Sequence, residues 1–182
     1  YYKPIHYGKL YKMDVTLIKE STRPLINKVY TISEASLDLV ANLIEVEAYE
    51  KGDLFIDKGK KNNKEYFVFE GVCSSFLLSL EYSQLNFQAL TKLTLASMNA
   101  DKFEQLMIDH LDIREFGNMV LQMELLAKVE KEIGLASLSA KERLIQFREK
   151  YHFLENLISH VDIASYLGIT NISLSRLRKE LM

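Results

Sequence analysis

The sequence predicts an α+β chain: an antiparallel β-roll or barrel, then one long helix, then a closing pair of short helices joined by a tight turn. Three observations carry this expectation. Between residues 46 and 97, short runs rich in aromatic and β-branched residues alternate with turn residues, as in strands joined by close turns. From about residue 113 to 135, apolar residues return at helical spacing but on more than one face. Residues 158–181 then carry two further apolar stripes of helical period, parted by Gly168.

Taken in order, residues 1–30 predict little. Pro4 and Gly8 interrupt any helix, and Tyr1, Tyr2, Tyr7 and Tyr11 mix with Lys3, Lys9 and Lys12. Such tyrosines suit either single-stranded nucleic acid or, as preferred here, apolar cover over a neighbouring domain. Ser33 is placed to cap a helix whose inner face is Leu37, Val40, Ala41 and Ile44. Strands are expected at residues 46–49, 54–57, 65–70, 72–78, 86–90 and 92–97. Gly52, Gly59 and Gly71 fall at the breaks, and Phe87, Ala89, Leu93 and Leu95 are expected to point inward. Six strands with close turns suggest a roll. Asn99 is placed to cap a short helix.

In the long helix, Phe116, Met119, Val120, Met123, Leu126 and Ala127 spread wider than one stripe. Two apolar faces need two partners. One face is expected on the roll and the other on a second copy of the chain, as in a coiled-coil seam. Ser139-Ala-Lys-Glu142 has the spacing of a capping box, in which Ser at the N-cap and Glu three residues on bond each other's backbone N–H. The helix it opens is expected to bury Leu144, Ile145 and Phe147.

The terminal pair is the most specific signal. Ser159 is placed to cap a helix lined by Val161, Ile163, Ala164 and Leu167. Gly168 stands where a helix end favours a residue at ease with positive φ, and Ile169 plugs the turn. Thr170 caps a second helix with the stripe Ile172, Leu174, Leu177 and Leu181. Its other face carries Asn171, Ser173, Ser175, Arg176 and Lys179. That face has the chemistry of a DNA reader. The Arg176 fork can bond guanine O6 and N7 together. Asn171 lies in the first turn, where recognition helices meet base edges. Thr170 and Ser173 can bond phosphate oxygens beside the helix N-terminus. Arg178 and Lys179 add charge further along.

Composition narrows the classes. The 182 residues are 48% hydrophobic and 26% charged, which supports a substantial core rather than disorder. Net charge is −2, so any attraction for nucleic acid is local: Arg176, Arg178 and Lys179 stand against Glu180 in residues 170–182. Cys73 is the single cysteine, which excludes an internal disulfide and any cysteine-held iron–sulfur cluster. No Cys/His group has zinc-ligand spacing. No apolar run is long enough to span a bilayer and no signal-peptide pattern occurs, so no membrane association and a cytoplasmic location are expected. The chain begins at Tyr1 rather than Met, so its natural start is expected further upstream. His6, His110, His152 and His160 are scattered. With no nucleophile–base arrangement, phosphate-cradling Gly loop or metal-ligand pair, an enzyme is not expected.

With these pieces placed, the chain resembles the Crp/Fnr-type transcription regulators. The resemblance covers residues 30–182. It rests on Tyr49-Glu-Lys-Gly52 with Asp53 and Leu54, on Gly59, on Tyr66-Phe-Val-Phe-Glu-Gly71, and on residues 161–181. Ala164-Ser-Tyr-Leu-Gly-Ile-Thr170, followed by Leu174-Ser-Arg-Leu-Arg-Lys179, is similar to the branch common in Bacteroidetes. The resemblance implies a jelly-roll-like β-roll of cyclic-nucleotide-binding type, a long dimerisation helix and a C-terminal winged helix-turn-helix. It divides the chain into an effector or sensor domain with flanking helices at 1–110, a dimerisation helix at 111–138 and a DNA-binding domain at 139–182. It also implies that Asn171, Ile172 and Arg176 occupy base-contacting positions, with Thr170 and Ser173 at phosphates. Well-studied members often place an acid where Ile172 stands. An acid can accept from cytosine; isoleucine cannot, but it can touch a thymine methyl. The operator of those members is therefore not transferable.

A second departure lies in the roll. Cyclic-nucleotide binders of this type hold the cyclic phosphate in a cassette with a Gly-Glu and an Arg-Ser pair. Between Phe76 and Asn86 there is neither Gly nor Arg. An eight-stranded roll needs two further strands and the cassette, roughly twenty or more residues. Two readings fit: a roll built without the cassette, or a sequence from which residues are absent near Ser79 and near Ser83. The second is preferred, because Phe76-Leu-Leu-Ser79 runs into Leu80-Glu-Tyr-Ser83 with no turn residues between them. A cyclic nucleotide stays open as effector, and no other cofactor is evident.

The function expected is a homodimeric, sequence-specific transcription regulator. Its partners would be a pseudo-palindromic duplex DNA operator, a small-molecule effector and RNA polymerase. The alternative is a ligand-sensing roll whose helical end docks a protein, since a polar face with Ser and Arg can serve either partner.

Overall fold

The computed structural model describes residues 9–11, 13–56, 58–73 and 86–181. Mixed α and β elements divide into two compact units, residues 1–121 and 122–182. The division falls inside the long helix rather than at either of its ends.

The first unit holds β1 (Lys9–Tyr11), α1 (Val15–Asn27), α2 (Glu34–Leu43), β2 (Glu45–Tyr49), β3 (Leu54–Ile56), β4 (Lys64–Glu70), β5 (Phe87–Gln88), β6 (Leu93–Asn99), α3 (Ala100–Asp109) and the start of α4 (Leu111–Ser137). β1, β2, β6 and β4 form an antiparallel sheet in that order, and β3 pairs with β5 in a second, two-stranded sheet. Side chains alternate across a strand, so the larger sheet has two buried faces. One carries Val46, Ala96, Met98 and Phe67 against Ile18, Ile26, Leu37, Val40, Ile113 and Phe116 from the helices. Phe67 stacks on Phe116 with ring centroids 6.3 Å apart. The other face gathers Tyr49, Leu93 and Leu95 with Phe55, Tyr66, Val68 and Ala89. The inward set Phe87, Ala89, Leu93 and Leu95 is buried as the alternation required.

Local chemistry sets several boundaries. Ser33 and Asn99 cap α2 and α3, each accepting from the backbone N–H three residues on. Gly71 ends β4 with φ +99, and a Cβ there would lie 2.2 Å from the Lys92 carbonyl oxygen. Only glycine allows the chain so close. Asp112, in the first turn of α4, accepts from the Ser33 N–H and the Ser36 hydroxyl, both at 2.8 Å, and so pins the start of α2 to α4.

The polar exception in the sheet is Glu47. It is buried, yet it accepts from Lys64 Nζ at 2.7 Å and from the Ser97 and Tyr49 hydroxyls. Burial alone would raise this carboxyl. The three donors outweigh it and hold the group below its ordinary value. Cys73 makes an isolated bridge with Ala89. Burial pushes its thiol up to about 11, which keeps it protonated and unreactive near neutrality.

Elements β1 and α1 have no counterpart in the sequence reading. α1 contains Pro24, and its inner face is Ile18, Thr22 and Ile26. Asp14 starts it by accepting from the Thr16 N–H at 2.8 Å. The strand expected at 72–78 is described only at its first residues. The rest of it, with the points near Ser79 and Ser83, lies outside the described residues.

The second unit holds the rest of α4 with α5 (Ala140–Lys150), α6 (Leu154–Leu157), α7 (His160–Leu167) and α8 (Asn171–Glu180). The Ser139/Glu142 capping box is formed in both directions. Leu144, Phe147, Ile163, Ala164, Leu167 and Leu174 make the core. Phe147, Tyr151 and Tyr166 pack ring to ring at 5.5–5.9 Å, and Lys131 sits 4.2 Å above the Tyr166 ring. Arg143 ties the ends of two helices together. It donates to the Leu138 carbonyl at 2.5 Å and to the Leu167 carbonyl at 2.9 Å, supplying partners that helix ends lack. No strand occurs among residues 122–181, so the wing implied by the resemblance is not formed within them.

Three side chains expected inside are outside. Ile145, Val161 and Ile172 are all exposed. At 3.6 residues per turn, two residues span about 200° of arc. Val161 therefore stands opposite Ile163, Ile172 opposite Leu174, and Ile145 opposite Phe147. The apolar stripe of each helix is narrower than its apolar content.

Candidate nucleic-acid interface

The site is the pair α7 and α8 with the turn between them. Ser159 begins α7 by accepting from the Asp162 N–H at 3.2 Å. α7 ends with Gly168 at φ 65, ψ 37. The Gly168 N–H donates to the Ser165 carbonyl at 3.1 Å and the Ile169 N–H to the Ala164 carbonyl at 3.0 Å. These two bonds close the helix end. Ile169, half-buried, packs onto the six-residue core from that position. A Cβ on Gly168 would meet Leu135 Cδ2 at 3.0 Å, and the left-handed backbone would strain any L side chain. Gly168→Ala is accordingly expected to cost about 1–2 kcal/mol, measured as a loss of unfolding free energy in denaturant.

α8 starts at Thr170, whose hydroxyl accepts from the Ser173 N–H at 3.2 Å and lies 3.0 Å from the Ser173 hydroxyl. Leu174 is fully buried, while Leu177 and Leu181 lean on the same core. This anchoring turns Asn171, Ile172, Ser175, Arg176 and Lys179 outward; all five are exposed, and Ser173 is half-buried. The helix N-terminus, with its partial positive charge, opens beside Thr170 and Asn171. Arg176 is exposed and makes no ion pair with the described residues.

Arg178 behaves differently. Counted from sequence as outward charge, it is half-buried, 3.6 Å from Glu155 and in contact with the His160 ring. Glu155 is shared with Arg148 at 2.7 Å. The cation is thus spent inside the unit, and the free positive charge of α8 reduces to Arg176 and Lys179. Phe153 is a further feature that sequence did not mark. It is 79% exposed and has φ 71, a left-handed backbone uncommon for a non-glycine residue.

On α4 the six expected interface residues separate into two sets. Phe116 is 2% exposed and Val120 half-buried, both packed into their own unit's core. Phe116 is therefore withdrawn from the outer face, because Phe67 already covers its ring. Met119, Met123, Leu126 and Ala127 are exposed, with Leu125, Val129 and Ile133 beside them. Among the described residues, no group of three or more His, Cys, Asp or Glu side chains could hold a metal ion. No helix among them is long and apolar enough to cross a membrane.

No family model matches the sequence, and no curated protein matches it in sequence. Solved structures do match in fold. FixK2 from Bradyrhizobium japonicum superposes with a TM-score of 0.63 at 17% identity, over 76% of this chain and 84% of that one. CLP from Xanthomonas campestris, described as a c-di-GMP-responsive global regulator, gives 0.64 at 14% identity, over 82% and 91%. A cyclic nucleotide-binding domain from Methylobacillus flagellatus KT gives 0.54 at 10% identity, over 70% and 83%. At such identities the likeness is one of fold.

Proposed function

We propose that the chain is a sequence-specific DNA-binding transcription regulator of the Crp/Fnr type, acting as a homodimer. One observation carries the reading. The buried Leu174 seats α8 so that Asn171, Ile172, Ser175, Arg176 and Lys179 face solvent together, with Asn171 at the positive N-terminal end of the helix and Lys179 in its last turn. In that pose Arg176 forks onto guanine O6 and N7, and Asn171 meets a neighbouring base edge. One of the two hydroxyl protons of Thr170 and Ser173 serves their mutual bond, and the other is left to donate to a phosphate oxygen. Lys179 adds a phosphate contact. The exposed apolar face of α4 pairs with that of a second copy, which brings two recognition helices to successive major grooves about 34 Å apart on a pseudo-palindromic operator.

An effector in the roll would act by binding two poses of the dimer unequally. The fold of the neighbours makes a cyclic nucleotide the class to try first. The Gly-Glu and Arg-Ser pairs that would hold its phosphate are not in this sequence. RNA polymerase is the expected further partner.

A mobility-shift or footprinting assay on the chain's own promoter region tests the reading. Affinity there should exceed that for random duplex and fall steeply with salt. A flat salt slope would instead favour protein docking by the same helix face. Arg176→Ala is expected to weaken binding at the cognate site by about 1–3 kcal/mol and to relax preference at one position per half-site. An unchanged preference would remove Arg176 from base reading.

A further inference from the structure

Ile172 is 68% exposed, on a face whose other members are polar. It sits one turn before Arg176, and residues four apart are neighbours on a helix surface, about 5–6 Å between Cβ atoms. Its flanking residues, Asn171 and Ser173, are too short to cover it, and Leu174, which anchors the helix, lies on the opposite side. The side chain is β-branched and held to essentially one rotamer in a helix. The surface therefore presents a rigid apolar knob beside a cationic fork.

Resting on the DNA-reading proposal, we infer that Ile172 sets specificity by seating on the 5-methyl group of a thymine within two base steps of the guanine taken by Arg176. The chemistry selects this base. Among the major-groove edges only thymine offers a methyl group; the others present donors and acceptors. Isoleucine can satisfy none of those. A cytosine or adenine amino group pressed against it would lose water and gain no partner, which penalises the wrong base as well as favouring the right one. The geometry limits the distance: four residues advance about 6 Å along the helix, against about 3.4 Å per base step.

The test uses the full chain and duplex sites selected from a randomised library. The selected site is resynthesised with each thymine replaced in turn by deoxyuridine, which removes only the methyl. One position per half-site should lose affinity about fourfold, the equivalent of about 0.8 kcal/mol for one buried methyl. Replacing both symmetric thymines should cost about fifteenfold on the same basis. Ile172→Ala should bind thymine and uracil sites alike, while Ile172→Val should keep the preference. Ile172 is exposed, so both variants should fold. Equal affinity for thymine and uracil sites in the parent chain would overturn the inference and leave DNA reading intact. A thymine preference that survives in Ile172→Ala would overturn the assignment to Ile172. If no duplex is enriched at all, the DNA-reading proposal fails first and this one with it.

Discussion

Leu174→Ala is expected to destabilise the second unit by about 2–5 kcal/mol, the range for a leucine removed from a closed core. Leu174 is buried among five other side chains from α5 and α7, and it is the one fully buried residue of α8. The cavity left behind has little to collapse into it, because the core is only six residues. Hydrogen exchange on the full chain should show faster exchange of the amides of residues 171–180, with the β4 and β6 amides unchanged. The proposed DNA binding should fall with it, although none of the side chains proposed to face bases has been touched. Leu174→Met, close in volume, should cost under about 1.5 kcal/mol. If Leu174→Ala left both exchange and binding as they were, the anchoring of the reading face would not be what sets its pose.

The second large effect concerns α4. Leu126 is 62% exposed and belongs to the face proposed to meet a second copy. Leu126→Glu should convert the dimer to a monomer. In a twofold seam the change appears on both sides. It removes two buried leucines, each worth about 1.5–3 kcal/mol, and sets two carboxylates against each other. The dimer dissociation constant should rise at least about a hundredfold, read by analytical ultracentrifugation. Binding to a palindromic site should drop to that of a half-site. Lys128→Gln, an exposed change about 200° round α4 from Leu126, serves as the control. A Leu126→Glu chain still dimeric at micromolar concentration would sink the α4 seam.

Both results bear on how far the sequence could be read. Five helix starts were legible to the residue: Ser33, Asn99, Ser139, Ser159 and Thr170 all act as N-caps; α4 begins two residues before its expected start, and α6 was expected only as a link. So was Gly168 as a left-handed stop. α1 escaped because Pro24 lies inside it and because its cap, Asp14, follows a stretch that reads as neither helix nor strand. The outward side chains of α8 were named in advance. Ile172 was assigned both to the buried stripe and to the reading face, and only the position of Leu174 decides between them.

What the chain alone determined is what its local hydrogen bonds determine: where helices begin, where they stop, and that two of them meet at a turn shaped for Gly168. A cap bonds a backbone N–H three residues away, so its physics is complete within a short window. Burial and charge pairing have no such window. Glu47 is stable inside the sheet only because Lys64 and Ser97, 17 and 50 residues on, arrive beside it. Phe116 turns inward because Phe67 meets it, Arg178 is occupied because Glu155 and His160 reach it, and Arg176 stays free because none of the described residues reaches it. Those outcomes belong to the tertiary structure, since each depends on which distant residues the fold brings within bonding distance.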